Sequence, residues 1–266
     1  MSDSSIGRSA TRGRYAAAIG MGVLMPAVAT VALTGGPAGS ERAAISQAPG
    51  AGERLPAIAL AAASESQDDP LRDWAQRRAE RFAIPASALR AYGYAAAAMA
   101  QAQPSCRLGW TTLAGIAHIE SDHGRHRGAT IASNGLVTPP IRGVALDGTN
   151  GNARILQVTA SGRTVYAQAA GPFQFIPDTW NRWGVRADAD VETVTGLLRS
   201  GKPAPSRDLS GSPDNINDAA LAAARYLCAS GGDLATYRGW SSAIFSYNHS
   251  DAYVRQVYSA AGALSS

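Results

Sequence analysis

LAGIAHIESDHG, residues Leu113 to Gly124, is the stretch on which the reading of this chain turns. Leu113, Ile116, Ala117 and Glu120 stand at i, i+3, i+4 and i+7, the spacing that gathers side chains into one helical stripe. Thr111 and Thr112 offer an N-cap before it and Gly124 a stop after it, so a helix is expected here. The stripe is apolar except for its last member. A carboxyl among apolar side chains loses hydration, which favours its neutral form and raises its pKa. The C-terminal end of a helix pushes the same way. A glutamic acid still protonated near neutral pH can donate to a leaving oxygen, and glycosidic bonds are frequent substrates of that chemistry. The competing reading puts Glu120 at the stripe's edge, turned to water or paired with Arg125.

Upstream, DPLRDWAQRRAERF (Asp69–Phe82) has an Asp-Pro start and a helical pattern in Leu71, Trp74, Arg78 and Phe82. A second helix follows Pro85 and stops before Pro104. Downstream, TPPIRGVALDGTNGN is turn-forming, and residues 153–168 alternate like a hairpin about Ala160-Ser161-Gly162. Helix returns at Pro177, whereas the stretch from Thr195 to Asp214, rich in Gly, Ser and Pro, reads as a surface loop. A strong helix capped by Asn217 or Asp218 runs to Gly231, and two short helices joined at Tyr247-Asn248 end the chain. The expected class is α+β, mainly α, with one small β-hairpin element, ordered over residues 70–262.

The N-terminus carries Arg8, Arg12 and Arg14 ahead of an apolar run from Tyr15 to Leu33, with Ala27-Val28-Ala29 as a small-x-small site. Residues 1–33 therefore read as an export signal, or as an N-terminal membrane anchor if uncleaved. Residues 34–69, rich in Ala, Gly, Ser and Pro, read as a flexible linker. Export makes a Cys106–Cys228 disulfide the natural reading of the two cysteines, with buried free thiols as the alternative. The net charge of +4 is almost all arginine, without the arginine clusters and interleaved aromatics that nucleic-acid binding calls for. His118 and Asp122 are i, i+4 and share the helix face opposite Glu120. They match no recognised metal-ligand spacing, and no metal or cofactor is expected. Asp188, Asp190 and Glu192 alternate like the start of an EF-hand, but Thr193 stands where the turn glycine belongs and Arg199 at the bidentate position.

Four blocks, WTTLAGIAHIESDHGRHRG, AAGPFQFIPDTWNRWG, NINDAALAAARYLCASGGDL and AIFSYNHSDAYVRQV, together resemble the lytic murein transglycosylases. The resemblance is to the membrane-bound lytic transglycosylase B type in its exported actinobacterial form, over about Pro70 to Val257. It implies a lysozyme-like domain and a single catalytic glutamate, Glu120, with Ser121 beside it. It also implies Gln174, Tyr247, Asn248 and Tyr253 at a sugar-binding cleft. The partner it implies is peptidoglycan, whose β-1,4 bond between N-acetylmuramic acid and N-acetylglucosamine would be cleaved to a 1,6-anhydromuramyl end. The implied protein is a secreted or wall-associated monomer. Two alternatives stay open: lysozyme-type hydrolysis, which calls for a second carboxylate (Asp122, Asp178, Asp218 or Asp251), and a non-catalytic wall-binding module.

Overall fold

The computed structural model describes residues 45–58, 69–149, 153–159 and 161–265. The expected signal or anchor at residues 1–33 lies outside them. No described helix is long and apolar enough to cross a membrane.

Helix α1 spans Pro70–Phe82, with the Asp69 side chain accepting from the Leu71 N–H and Pro70 in the first turn, and it buries Leu71, Trp74 and Ala75. Helix α2 (Ala86–Ala102) is alanine-rich and buried on most of its faces. Helix α3 (Trp110–Ser121) carries Glu120. The small β pairs follow: β1 (Thr130–Ile131) with β2 (Val137–Thr138), then β3 (Arg142–Ala145), β4 (Leu156–Val158), β5 (Thr164–Tyr166) and β6 (Gln168–Ala170). All pairings are antiparallel, β1 with β2, β3 with β6 and β4 with β5. Helices α4 (Pro177–Trp183), α5 (Val191–Ser200), α6 (Arg207–Ser210), α7 (Ile216–Gly231), α8 (Tyr237–Tyr247) and α9 (Asp251–Ala263) complete the domain. The architecture is mainly helical α+β.

Helix α3 departs from the one-sided stripe. Every residue in it except His118 and Ile119 is buried, so it is a central helix wrapped by others. Its N-cap is Gly109, with no side-chain bond. Thr111 Oγ1 instead donates to Gly50 O, and Thr112 Oγ1 accepts from Trp240 Nε1. Helix α9 lies antiparallel along it. A Cβ added at Gly115 would stand 3.1 Å from both Val257 O and Ala261 N, so the absent side chain lets the two backbones close up. Tyr253 stands one turn before Val257 on the same face of α9, and this approach delivers it to Glu120.

The Cys106–Cys228 disulfide joins the turn after α2 to α7, with Cα atoms 5.4 Å apart. Hairpin β4–β5 lies where alternation puts it, in the register Leu156↔Tyr166, Gln157↔Val165, Val158↔Thr164. The pairs β1–β2 and β3–β6 were not expected, because their strands are short and set among turn residues.

Two expectations for the second half of the chain are corrected. The 195–214 stretch is not a loop throughout: α5 begins before it, capped by Asp190 accepting from the Thr193 N–H, and buries Val194, Leu197 and Leu198. The acidic alternation at Asp188–Glu192 is thus a helix start. The N-cap of α7 is Asn215, while Asn217 and Asp218 lie inside the helix.

Residues 45–58, within the expected flexible linker, pack as a strap across the start of α3. Trp110 Nε1 donates to Glu53 O, and the Glu53 carboxylate takes the Arg78 and Arg81 guanidiniums. Leu55 and Ile58 pack against the main core. A few long-range contacts override a composition that favours disorder.

Candidate active site

Glu120 is the pivot. It lies in the last turn of α3, which stops immediately beyond because Asp122, His123 and Gly124 all take positive φ. Its carboxyl is buried, with 9 % of its surface exposed. Burial pushes its pKa from 4.5 up to about 7, against a single opposing influence, the Tyr253 hydroxyl that donates to Oε1 at 2.6 Å. No neighbouring carboxylate contributes to that shift. Arg125, the candidate partner from sequence, is engaged elsewhere, its guanidinium holding Asp122 Oδ1 at 2.8 Å. With Oε1 accepting from a phenol, the acid proton of Glu120 belongs on Oε2.

Tyr253 comes from α9 and Tyr247 from the end of α8. Their rings are parallel within 1°, with centroids 6.5 Å apart. Burial and the adjacent Glu120 hold both phenols well above the ordinary tyrosine range, so Tyr253 remains a donor whichever state Glu120 adopts. Tyr247 donates to Phe173 O at 2.7 Å and thereby grips the turn after β6. That turn is tight: Gly171 has φ +75, and a Cβ there would fall 1.6 Å from Pro213 O. Gln174 also takes a positive φ, is buried, and donates from Nε2 to Gly171 O at 2.8 Å. Ser121 Oγ donates to Pro172 O and accepts from the Gly124 N–H, joining the end of α3 to the same turn.

The structure thus brings Glu120 and Tyr253 into direct contact, with Tyr247 beside them. Ser121 and Gln174 brace the turn after β6 through bonds to its backbone carbonyls. Asn248, buried at the C-cap of α8, stands next to Tyr247 in the chain.

Of the candidate second carboxylates, Asp122 is exposed and held by Arg125, with His118 Nδ1 3.7 Å away. Asp178 and Asp251 lie in the first turns of α4 and α9. Asp218 is buried and its carboxyl pushed up to about 6, but its oxygens accept the Ala187 and Ser212 N–H groups at 2.7 and 2.9 Å. It ties the 184–214 segment to α7.

Sequence reasoning missed the pair behind the α3 turn. Tyr92 OH meets His123 Nδ1 at 3.2 Å, and burial pushes His123 down to about 3, leaving it neutral. His118, Asp122 and His123 bring one ligand atom each within 4.8 Å of one another. The Arg125 guanidinium already sits on the Asp122 carboxylate of that group. Only the Asp122–His118 spacing was visible in the sequence; the turn into His123 was not.

No protein-family model, curated protein or solved structure matches the chain. The reading of the site rests on its own residues.

Proposed function

We propose that this chain is a peptidoglycan lytic transglycosylase with a lysozyme-like domain, Glu120 serving as acid and then as base. One observation carries the reading: a buried carboxyl pushed up to about 7, with one oxygen held by a tyrosine and, among the described residues, no carboxylate contributing to its shift. Glycoside cleavage through an enzyme nucleophile or an activated water calls for a second carboxylate. A single acid is enough when the substrate's own groups take that role.

In the first step the Oε2 proton passes to the oxygen linking N-acetylmuramic acid to N-acetylglucosamine, and the C1–O bond breaks. The muramyl acetamido oxygen closes onto C1. Glu120, now ionised and stabilised by the Tyr253 hydroxyl, takes the proton of the C6 hydroxyl. O6 attacks C1 and displaces the acetamido oxygen, leaving a 1,6-anhydro end and restoring the protonated acid. No water is consumed. Tyr247 and Asn248 position the sugar, and the turn held by Ser121 and Gln174 keeps the carboxyl in place. The partner is the glycan strand, met by a monomer exported to the cell envelope.

The test is mass spectrometry of muropeptides released from purified peptidoglycan by the intact chain and by Glu120→Gln. Anhydromuramyl products that vanish in the variant are expected. Reducing-end products would replace the proposal with hydrolysis, and binding without products from either protein would replace it with a wall-binding module.

A further inference from the structure

The hairpin β4–β5 is one-sided. Its inner face packs on the domain through Ile155, which meets a small cluster of Leu146, Ala167, Ala169 and Ile176. Its outer face carries Leu156 paired with Tyr166 and Val158 paired with Thr164. These apolar side chains are open to solvent: Val158 is 72 % exposed, Leu156 52 % and Tyr166 38 %. Arg154 shares this face by alternation and lies over the Tyr166 ring, 6.0 Å from its centroid. Arg163 is exposed beside the turn, opposite Thr159, and by alternation it lies on the other face of the hairpin. Residues 153–168 contain two arginines and no aspartate or glutamate.

We infer that this hairpin face docks on an anionic lipid surface. Exposed aliphatic side chains on a hairpin face gain from an apolar medium, which a polyanionic polymer does not supply. Arginine and tyrosine flanking them suit the headgroup layer, where a long stem or ring is buried and the polar end stays wet. Asp147 pairs across from Arg154 beside the hairpin, so the two arginines against this one carboxylate leave a net positive charge, which complements anionic headgroups. Pairing with a second copy through the same face would set Arg154 against its equivalent, which disfavours it. The apolar stretch at Tyr15–Leu33 gives the full chain an independent route to a membrane, so the test must read the hairpin itself. The inference does not depend on Glu120.

The two native cysteines are joined in the disulfide, so Val158→Cys in the full chain supplies a single thiol for a polarity-sensitive nitrobenzoxadiazole label. A blue shift is expected on vesicles of phosphatidylglycerol and phosphatidylcholine, weakening at raised salt, with little change on phosphatidylcholine alone. Leu156→Ser in the labelled chain is expected to lower the apparent partition about tenfold. Arg154→Gln with Arg163→Gln is expected to weaken it on anionic vesicles only. Unchanged emission on anionic vesicles, while the chain co-sediments through its N-terminus, overturns the proposal. So does a lipid-free blue shift that grows with protein concentration, or one elicited by purified peptidoglycan. Digestion of lipid-free peptidoglycan by Leu156→Ser serves as the control: a failed hairpin leaves it intact, and a failed lyase reading leaves the fluorescence intact.

Discussion

Replacing Glu120 with glutamine is expected to stabilise the protein, and increasingly so as pH rises. The carboxyl titrates at about 7 in the fold, against 4.5 as its ordinary value. Below the lower figure it is protonated folded and unfolded alike, and burial adds no pH-dependent penalty. Between the two, the folded state holds the proton more tightly than the unfolded one, so stability falls as pH rises. Above the higher figure the ionised carboxylate is buried at a constant cost. At about 1.4 kcal/mol per pKa unit, that cost is on the order of 3 kcal/mol. Glutamine is neutral throughout, close to isosteric, and its amide oxygen can still accept from Tyr253. The Glu120→Gln advantage should therefore widen by roughly 3 kcal/mol between about pH 4 and pH 8, or by roughly 6–12 °C in Tm for a domain of this size. Asp218, whose carboxyl is also pushed up, titrates equally in both proteins and cancels. Urea and thermal unfolding of both chains across that range, disulfide intact, is the assay. A difference constant with pH would refute a buried Glu120 that holds its proton near neutrality.

Tyr253→Phe removes the one bond that favours the ionised carboxylate, so the Glu120 pKa should rise above about 7. The alkaline limb of kcat/KM should move to higher pH while kcat falls; a limb that stays put would disconnect Tyr253 from the acid. Cys106→Ser opens a crosslink spanning 122 residues and should cost about 5 kcal/mol on the chain-entropy account, read as a lowered urea midpoint. A loss under about 1 kcal/mol would show that the bond adds little to a chain already held by its core.

The residues legible in the sequence are those whose signal is local. Glu120 declared itself by sitting on an apolar spacing, and the two cysteines left only one pairing to consider. The burial of α3 on nearly all sides was not legible, because the groups enclosing it, Trp240, Val257 and Ala261, arrive from the far end of the chain. The strap was hidden for a related reason. Its bonds to Arg78 and Trp110 cross 25 and 57 residues, and nothing in an Ala, Gly and Pro composition announces such partners. Gln174 was expected at the cleft; the structure gives its amide a backbone carbonyl to hold, in a conformation that local propensity disfavours for a non-glycine residue. Helix α5 was obscured by the Gly- and Pro-rich residues after it, although Asp190 is a sound N-cap and Val194, Leu197 and Leu198 a sound stripe.

The cost of burying Glu120 and the stiffness of its surroundings belong together. A carboxyl that loses on the order of 3 kcal/mol on ionising in place would escape to water if its helix end could swing outward. The end of α3 cannot easily do so. Its stop runs through Asp122 and His123, non-glycine residues held at φ 50 and 58, a conformation that costs energy and persists only where neighbours enforce it. Those neighbours are identifiable. Ser121 bonds Pro172 O, Tyr247 bonds Phe173 O one residue on, and His123 is backed by Tyr92. The turn at Pro172–Phe173 is therefore gripped from α3 and from α8, and Tyr253 reaches the carboxyl from α9. Two helices grip one short turn, and a third holds the carboxyl beside it. What they fix in common is a glutamic acid held in one position with its pKa near neutrality, the arrangement that the proposed acid and then base role of a single residue would demand of a fold.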